Sequence, residues 1–287
     1  MKISVVIPAF NEERLLPGSL SSIRAAMEGF ARLGWESELI VCDNNSTDRT
    51  AEIARGAGAE VVFEPVNQIG RARNTGAARA RGDWIFFVDA DSYPSAELFL
   101  DAADSIRAGC LAGGSTVRYE DPHPAVALLA GIWNAVSRIN KWAAGSFIFC
   151  EAAAFRETGG FSEELYASEE IDLFRRLKRL ARRDRRSIVI LHRHPLRTSD
   201  RKLRLYGWRV FLVHGEDRRV ARARAAKPAG LLRLVRRPAL TASGRASRAL
   251  ATSASALSGA PWISCRERQA EYSPRSCRAG PRSACRC

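Results

Sequence analysis

The apolar positions of this chain fall into short continuous runs separated by stretches of helical spacing. Ile3-Ser4-Val5-Val6-Ile7 reads as a strand covered on both faces. Helical spacing follows over residues 12–32, with Asn11 expected as N-cap ahead of Glu12 and Glu13. Glu38 to Cys42 predicts a second strand, followed by a helix that starts near Ser46 or Thr47. Ala59 to Phe63 reads as a short strand, Gly70 to Arg81 as a helix, and Trp84 to Val88 as a strand buried on both faces. Strands alternating with helices in this way predict an α/β fold: a doubly wound, mostly parallel sheet with helices on both faces and right-handed crossovers.

Beyond residue 110 the pattern is mixed, punctuated by Gly113, Gly114, Gly145, Gly159 and Gly160 around the apolar stretch Ser146 to Cys150. Ile171 to Arg183 is strongly amphipathic, because Leu173, Phe174, Leu177, Leu180 and Ala181 recur at helical spacing among basic residues. Ser187 to Leu191 reads as a last strand. Past about residue 217 the periodicity ends and Ala, Arg, Ser, Pro and Gly predominate, a composition that does not offset the entropy of ordering. The expected organisation is a domain over 1–217, with halves at about 1–110 and 111–217, and a disordered basic tail over 218–287. The abrupt change also fits translation of a shifted GC-rich reading frame.

Charge sharpens that division. The formal net charge is +14, yet residues 1–217 hold 29 basic and 29 acidic side chains. The other 16 basic residues lie in 218–287, against Glu267 and Glu271 alone. The body is therefore not a basic nucleic-acid-binding domain, and nonspecific electrostatic association through the tail is the most the charge supports. No apolar run reaches the roughly 18 residues of a membrane span. The strand pattern begins directly at Ile3, without a basic-then-apolar export signal, so the expected location is cytoplasmic, with peripheral association at the inner face of the membrane as a variant. Cys42, Cys110 and Cys150 sit in apolar surroundings and read as buried thiols, while Cys265, Cys277, Cys285 and Cys287 lack a zinc spacing.

The chemistry gathers where strands end. Trp84 to Val88 runs into Asp89-Ala90-Asp91, two carboxylates one residue apart, which belong at the sheet's carboxyl edge, where a parallel sheet opens into a crevice. Their repulsion is relieved by a hard divalent cation with oxygen ligands. The first strand ends in Pro8-Ala9-Phe10-Asn11-Glu12 and the second in Asp43-Asn44-Asn45-Ser46-Thr47-Asp48, acceptor-rich loops suited to a heterocycle or ribose hydroxyls. Taken singly, each is also ordinary turn and capping chemistry.

Together, Val5 to Glu12, Asp43 to Asp48 and Asp89-Ala90-Asp91 resemble a family 2 glycosyltransferase of the GT-A fold. Gly70-Arg71-Ala72-Arg73-Asn74-Thr75-Gly76, Gly159-Gly160-Phe161 and Ser168-Glu169-Glu170-Ile171-Asp172-Leu173 extend the resemblance over about 1–205. It implies a metal-dependent transfer from a nucleotide-diphospho-sugar, most simply a UDP-sugar, to an acceptor hydroxyl by an inverting single displacement, the acceptor being a sugar, lipid or small molecule. Mg²⁺ or Mn²⁺ would be held by Asp91, with Asp89 on ribose or ligating through water and His192 or His194 as a further ligand. Asp43 would accept from the base imide, with Pro8, Phe10 and Glu12 lining the base and ribose site and Ala90 between the carboxylates. Arg71 or Arg73 would touch base or phosphates, unless both only line a solvated face, and Asn74 joins them as a donor contact. Glu170 matches the position of the catalytic base, where aspartate is usual, with Glu169 and Asp172 as competitors. Ser199, Arg201 and Lys202 resemble a late loop that closes over the diphosphate. Trp133, Trp142 and Trp208 are candidates for stacking on an acceptor or for core packing.

Competing classes lack their signatures. A nucleotidyltransferase needs a glycine-rich loop after the first strand, where Pro8-Ala9-Phe10-Asn11 stands. A dinucleotide oxidoreductase needs such a turn opening the first helix, and Gly56-Ala57-Gly58 lies at a helix end instead. A catalytically impaired nucleotide-sugar-binding protein remains compatible with the same residues.

Overall fold

The computed structural model describes residues 1–119, 124–165 and 168–199; the tail and the expectations placed on Arg201, Lys202 and Trp208 lie outside the described residues. The first half follows the predicted alternation: β1 (Lys2–Ala9), α1 (Leu16–Arg32), β2 (Glu36–Asp43), α2 (Thr50–Gly56), β3 (Glu60–Phe63), α3 (Ile69–Arg79) and β4 (Trp84–Val88). β5 (Ser92–Tyr93) and α4 (Ala96–Arg107) come next, then β6 (Cys110–Tyr119), α5 (Pro124–Asn140), β7 (Phe147–Glu151), α6 (Ala152–Glu157), α7 (Glu169–Arg183) and β8 (Ser187–Thr198).

Among the described residues eight strands join one sheet in the order β3-β2-β1-β4-β7-β6-β8-β5. β3, β2, β1 and β4 pair in parallel. β7 then enters antiparallel between β4 and β6, while β6 and β8 pair in parallel. The sheet is thus parallel from β3 to β4 and mixed beyond it. The 110–165 region is mixed because the chain, after α5, re-enters the sheet at the same edge where β6 ends, so β7 runs antiparallel to both β6 and β4.

β4 shows why its run is apolar throughout. Trp84, Phe86 and Val88 join the core cluster that holds Phe30, Phe99, Phe147 and Phe149. Ile85 and Phe87 join another, with Phe155, Phe161, Leu173, Phe174 and Leu177. A central strand covered by helices on both faces has no polar side to alternate with. Cys42, Cys110 and Cys150 are buried free thiols, and burial pushes Cys42 and Cys110 up to about 12.

Close packing of α3 on β1 depends on Gly76. A Cβ there would stand 2.4 Å from Val6 Cγ1 and 3.6 Å from Cys42 Cβ. Gly76→Ala is expected to lower stability by about 1–3 kcal/mol through overpacking, read as a fall in the urea midpoint with an unchanged slope; an unaltered midpoint would show that the helix is free to lift.

Two boundaries depart from expectation for one reason. Asn11 does not cap α1. It has a left-handed φ of 53°, and its Oδ1 accepts from the Thr47 backbone N–H at 2.8 Å. α1 starts later, with Leu15 at the N-cap and Pro17 in its first turn. α2 likewise starts at Thr50, because Asp43 Oδ1 accepts from Ser46 N–H at 3.0 Å and Asp48 Oδ1 from Thr50 N–H at 2.9 Å. Side chains from two loops satisfy backbone donors that a longer helix would have paired internally.

Candidate active site

The carboxyl ends of β1, β2 and β4 bring the predicted loops to one edge. Phe10 is half exposed there, Pro8 and Glu12 are buried, and Asp43 is buried at the end of β2. Glu12 donates its backbone N–H to Thr50 Oγ1 at 2.8 Å, tying the first loop to α2. Asn44, buried beside Asp43, reaches across to the β3–α3 connection. Its Nδ2 donates to the carbonyls of Glu64 at 3.1 Å and Val66 at 2.6 Å, and its Oδ1 accepts from Gln68 N–H at 3.0 Å.

Asp89, Ala90 and Asp91 are all buried, directly beyond β4. Asp91 is fixed from β8: Ser199 donates its hydroxyl to Asp91 Oδ2 at 2.9 Å and its backbone N–H to the Asp91 carbonyl at 3.1 Å. Ser199 therefore supports the aspartate, and β8 runs past its predicted end at Leu191 to deliver it.

Arg73 is the centre of the site. It is 1% exposed, which removes the solvated-face reading of this arginine. Its guanidinium donates to Asp89 Oδ1 at 2.9 Å, to Glu169 Oε1 at 2.8 Å and to the Gly145 carbonyl at 2.8 Å. Its face lies over the Phe161 ring, 5.1 Å from the centroid. One planar fork thus joins the end of β4 to the start of α7, a task that suits arginine and not lysine. Arg71, two residues earlier on the same helix, is partly exposed and pairs with Glu163 at 2.8 Å.

The start of α7 supplies the second carboxylate pair. Glu169 and Glu170 are 4% and 9% exposed and open the helix after Ser168, which takes a left-handed φ of 64°. Burial, then the charge of Glu169 and a hydrogen bond shared with it, push Glu170 up to about 7; Arg73 opposes them. A carboxyl at that level is suited to accept a proton near neutral pH. Asp172 belongs elsewhere: its carboxylate pairs with Arg176 one turn along, at 2.7 Å, so the structure does not join it to the Glu169–Glu170 pair.

Asn74 is used in the framework. It clamps Phe161, donating to its carbonyl and accepting from its N–H, both at 2.9 Å. The clamp requires the preceding glycines: Gly159 and Gly160 have φ of 78° and 71°, and a Cβ on Gly160 would meet Asn74 Oδ1 at 2.7 Å. Gln68 holds the same segment through the carbonyls of Glu163 and Leu165, at 3.0 and 2.8 Å. Asn44, Gln68 and the Gly145 carbonyl were not singled out in the sequence, and only the polar loop around Asn44 hinted at any of them.

His192 does not reach this cluster as a ligand. Between Ser115/Leu191 and Val117/Leu196 the β6–β8 register slips, so residues 192–195 bulge outward and are exposed. His192 Nδ1 lies 3.5 Å from the Ile190 carbonyl, and His194 Nδ1 lies 2.9 Å from Asp101 on α4. Among the described residues no group of three or more His, Cys, Asp or Glu side chains gathers to hold a metal. The oxygen donors of Asp89 and Asp91 fit Mg²⁺ or Mn²⁺ of the kind held by one or two carboxylates with the rest supplied by phosphates and water. Trp133 and Trp142 pack partly buried against the two cores.

A sheet whose parallel strands end in a buried Asp-x-Asp beyond β4 and an aspartate two strands away at the end of β2, with a carboxylate pair at the start of α7, defines a nucleotide-sugar transferase type of site. The family model for glycosyl transferase family 2 matches residues 4–156, more than half of the chain, and the protein belongs to that family. The poly(ribitol-phosphate) β-N-acetylglucosaminyltransferase TarS of Staphylococcus aureus is 33% identical over 110 residues, covering 36% of this chain and 18% of that protein. The 4,4'-diaponeurosporenoate glycosyltransferase of Staphylococcus haemolyticus is 38% identical over 107 residues, 35% of this chain and 27% of the relative. The chain thus spans less than a third of the length of these relatives. Among solved structures, S. aureus TarS with UDP-GlcNAc has a TM-score of 0.53 at 23% identity, over 69% of this chain and 58% of that one. Glucosyl-3-phosphoglycerate synthase from Mycobacterium tuberculosis, with Mn²⁺, UDP and phosphoglyceric acid, has a TM-score of 0.53 at 23% identity, over 80% of each chain. At that identity the structural likeness establishes the shared fold.

Proposed function

We propose that the protein transfers a sugar from a nucleotide-diphospho-sugar, with UDP as the nucleotide, to an acceptor hydroxyl by an inverting single displacement that depends on Mg²⁺ or Mn²⁺. One observation carries the reading: Arg73 bridges Asp89 at the Asp-x-Asp to Glu169, next to Glu170, so the diphosphate end and the proton-accepting end form one connected unit. The UDP complexes of the two structural neighbours support the nucleotide assignment.

The base would sit between the Pro8–Glu12 and Asp43–Asp48 loops, with Phe10 exposed at its edge. Asp91 and Asp89 would hold the metal, which supplies Lewis acidity for the departing diphosphate. Glu170 takes the acceptor proton as the hydroxyl attacks the anomeric carbon from the face opposite the leaving group. The charge of Glu169 beside it, together with burial, holds the Glu170 carboxyl up toward neutral pH, and Arg73 limits that rise. Location in the cytoplasm and the identity of sugar and acceptor belong to this reading as expectations; no described helix is long and apolar enough to cross a membrane.

A nucleotide-sugar panel with Mn²⁺, followed by thermal shift, tests it. UDP or a UDP-sugar is expected to stabilise the protein by about 2.7 kcal/mol at a hundredfold excess over Kd, only with metal present. Asp91→Asn is expected to remove the metal-dependent part while leaving the apo midpoint close to the parent's. The reading fails if no nucleoside diphosphate stabilises the chain under any metal.

A further inference from the structure

α5 carries an exposed apolar stripe that the fold does not use. Its inner side is set by Ala130, Trp133, Asn134 and Ser137: Ala130 and Ser137 are buried, and Asn134 accepts from and donates to the Val117 backbone. On the opposite side, at helical spacing, Leu128, Ile132 and Ile139 are 67%, 54% and 81% exposed. Gly131 and Ala135 between them are exposed as well, so nothing polar interrupts the stripe. Large apolar side chains so aligned mark an interaction surface.

The neighbourhood of the stripe is cationic. No acidic residue occurs from 124 to 150. At the C-terminal end of α5, Lys178 of α7 donates to the Asn140 carbonyl and lies over the Trp142 ring, 5.4 Å from its centroid. Arg182, Lys141 and Arg175 crowd the same ammonium, and burial with their repulsion lowers its pKa from the usual lysine value. Arg138, Lys141, Arg175 and Arg182 are exposed, and among the described residues none of these four nor Lys178 has an acidic side chain in salt-bridge range. Arg176 and Arg183, by contrast, are neutralised by Asp172, Glu157 and Asp184.

We propose that the α5 stripe, flanked by the Arg138–Lys141–Lys178–Arg182 cluster, is a docking surface for an anionic lipid bilayer, with α5 lying in the plane of the interface. Apolar area sinks to the headgroup boundary while cations with no acidic neighbour meet lipid phosphate, the pairing that interfacial helices use. A half-buried tryptophan at the junction matches the amphipathic position such rings take. A protein partner of neutral or basic surface would leave the cation cluster facing like charge or none, so the charge selects the anionic surface. The placement also orients the site: β6 ends at Tyr119, whose pairing partner Thr198 precedes the serine that holds Asp91, and α5 is the next element of the chain.

Vesicle co-sedimentation of the full chain tests the proposal, with phosphatidylglycerol–phosphatidylcholine and pure phosphatidylcholine vesicles at about 0.1 M and about 1 M salt. Leu128→Gln/Ile132→Gln/Ile139→Gln is expected to lower partition into anionic vesicles on the order of tenfold at both salts. Lys141→Gln/Lys178→Gln/Arg182→Gln is expected to lower only the low-salt, phosphatidylglycerol-dependent part. The basic residues beyond 217 contribute alike to every variant and do not confuse the comparison. Unchanged partition of the apolar variant overturns the proposal, since binding would then be electrostatic alone. So does conversion of a dimer to a monomer by that variant without vesicles, which would make the stripe a contact between copies. A marked drop in its melting temperature overturns it too, because the stripe would then be covered by its own chain.

Discussion

Glu170→Gln is expected to lower kcat by about 10²–10⁴-fold, the usual contribution of a positioned general base, with little change in the affinity for UDP and metal. The wild-type profile carries the same information. Glu170 titrates near 7, raised by burial and by Glu169, and it must be ionised to accept a proton. Activity is therefore expected to rise with pH and reach half its plateau near neutrality. Glu169→Gln removes the like charge and leaves Arg73 to act on Glu170 alone, so the acid limb moves to lower pH. An unmoved limb would assign the titration to another group. The stability effect has the opposite sign. A carboxyl whose folded pKa is raised favours the native state below the ordinary glutamate value of 4.5 that it has when unfolded, and that contribution is lost as pH rises through about 7. Glu170→Gln keeps a neutral side chain there at all pH, so the variant is expected to melt higher than the parent above neutral pH, a trade of stability for activity common at catalytic positions.

The second large effect belongs to Arg73. Arg73→Met removes the cation between two buried carboxylates, and breaking a buried pair in this way costs about 3–5 kcal/mol, a large share of the roughly 5–15 kcal/mol that holds a domain folded. Urea titration reads the loss. Arg73→Lys keeps a charge but cannot bridge Asp89, Glu169 and the Gly145 carbonyl together. It is expected to recover part of the stability while kcat stays low and donor binding stays near the parent's. A direct donor contact would give the reverse split, with weakened UDP binding and kcat little altered. The two readings of Arg73 thus separate on KM against kcat, independently of how well each variant folds.

Most of the first half was legible in the sequence because its signals are local. A strand buried on both faces, as β4 is, must be apolar at every position, and a carboxylate cannot follow it except at the sheet edge. That alone placed Asp89 and Asp91. The same reasoning found α7 from its apolar stripe, and the glycines of the 159–160 turn from the family pattern. The second half was less legible, since the antiparallel entry of β7 between β4 and β6 depends on pairing residues as far apart in sequence as Trp84 and Glu151, which no local period records.

The sequence by itself determined which residue types stand at the crevice: two carboxylates beyond β4, an aspartate beyond β2, a carboxylate pair opening α7, and a charge-balanced body ahead of a basic tail. What each one does was decided only by tertiary structure. Arg71 and Arg73 are both arginines of one helix, yet one is a half-exposed partner of Glu163 and the other a buried bridge between two halves of the fold. Asn74 and Ser199 turned from ligand contacts into supports, and Asp172 from a candidate base into the partner of Arg176. The physical reason is common to all of them. Residue type and spacing fix what a side chain is able to donate, accept or charge, whereas the partner that reaches it within hydrogen-bond distance comes from another strand or helix, and that meeting exists only once the sheet has closed.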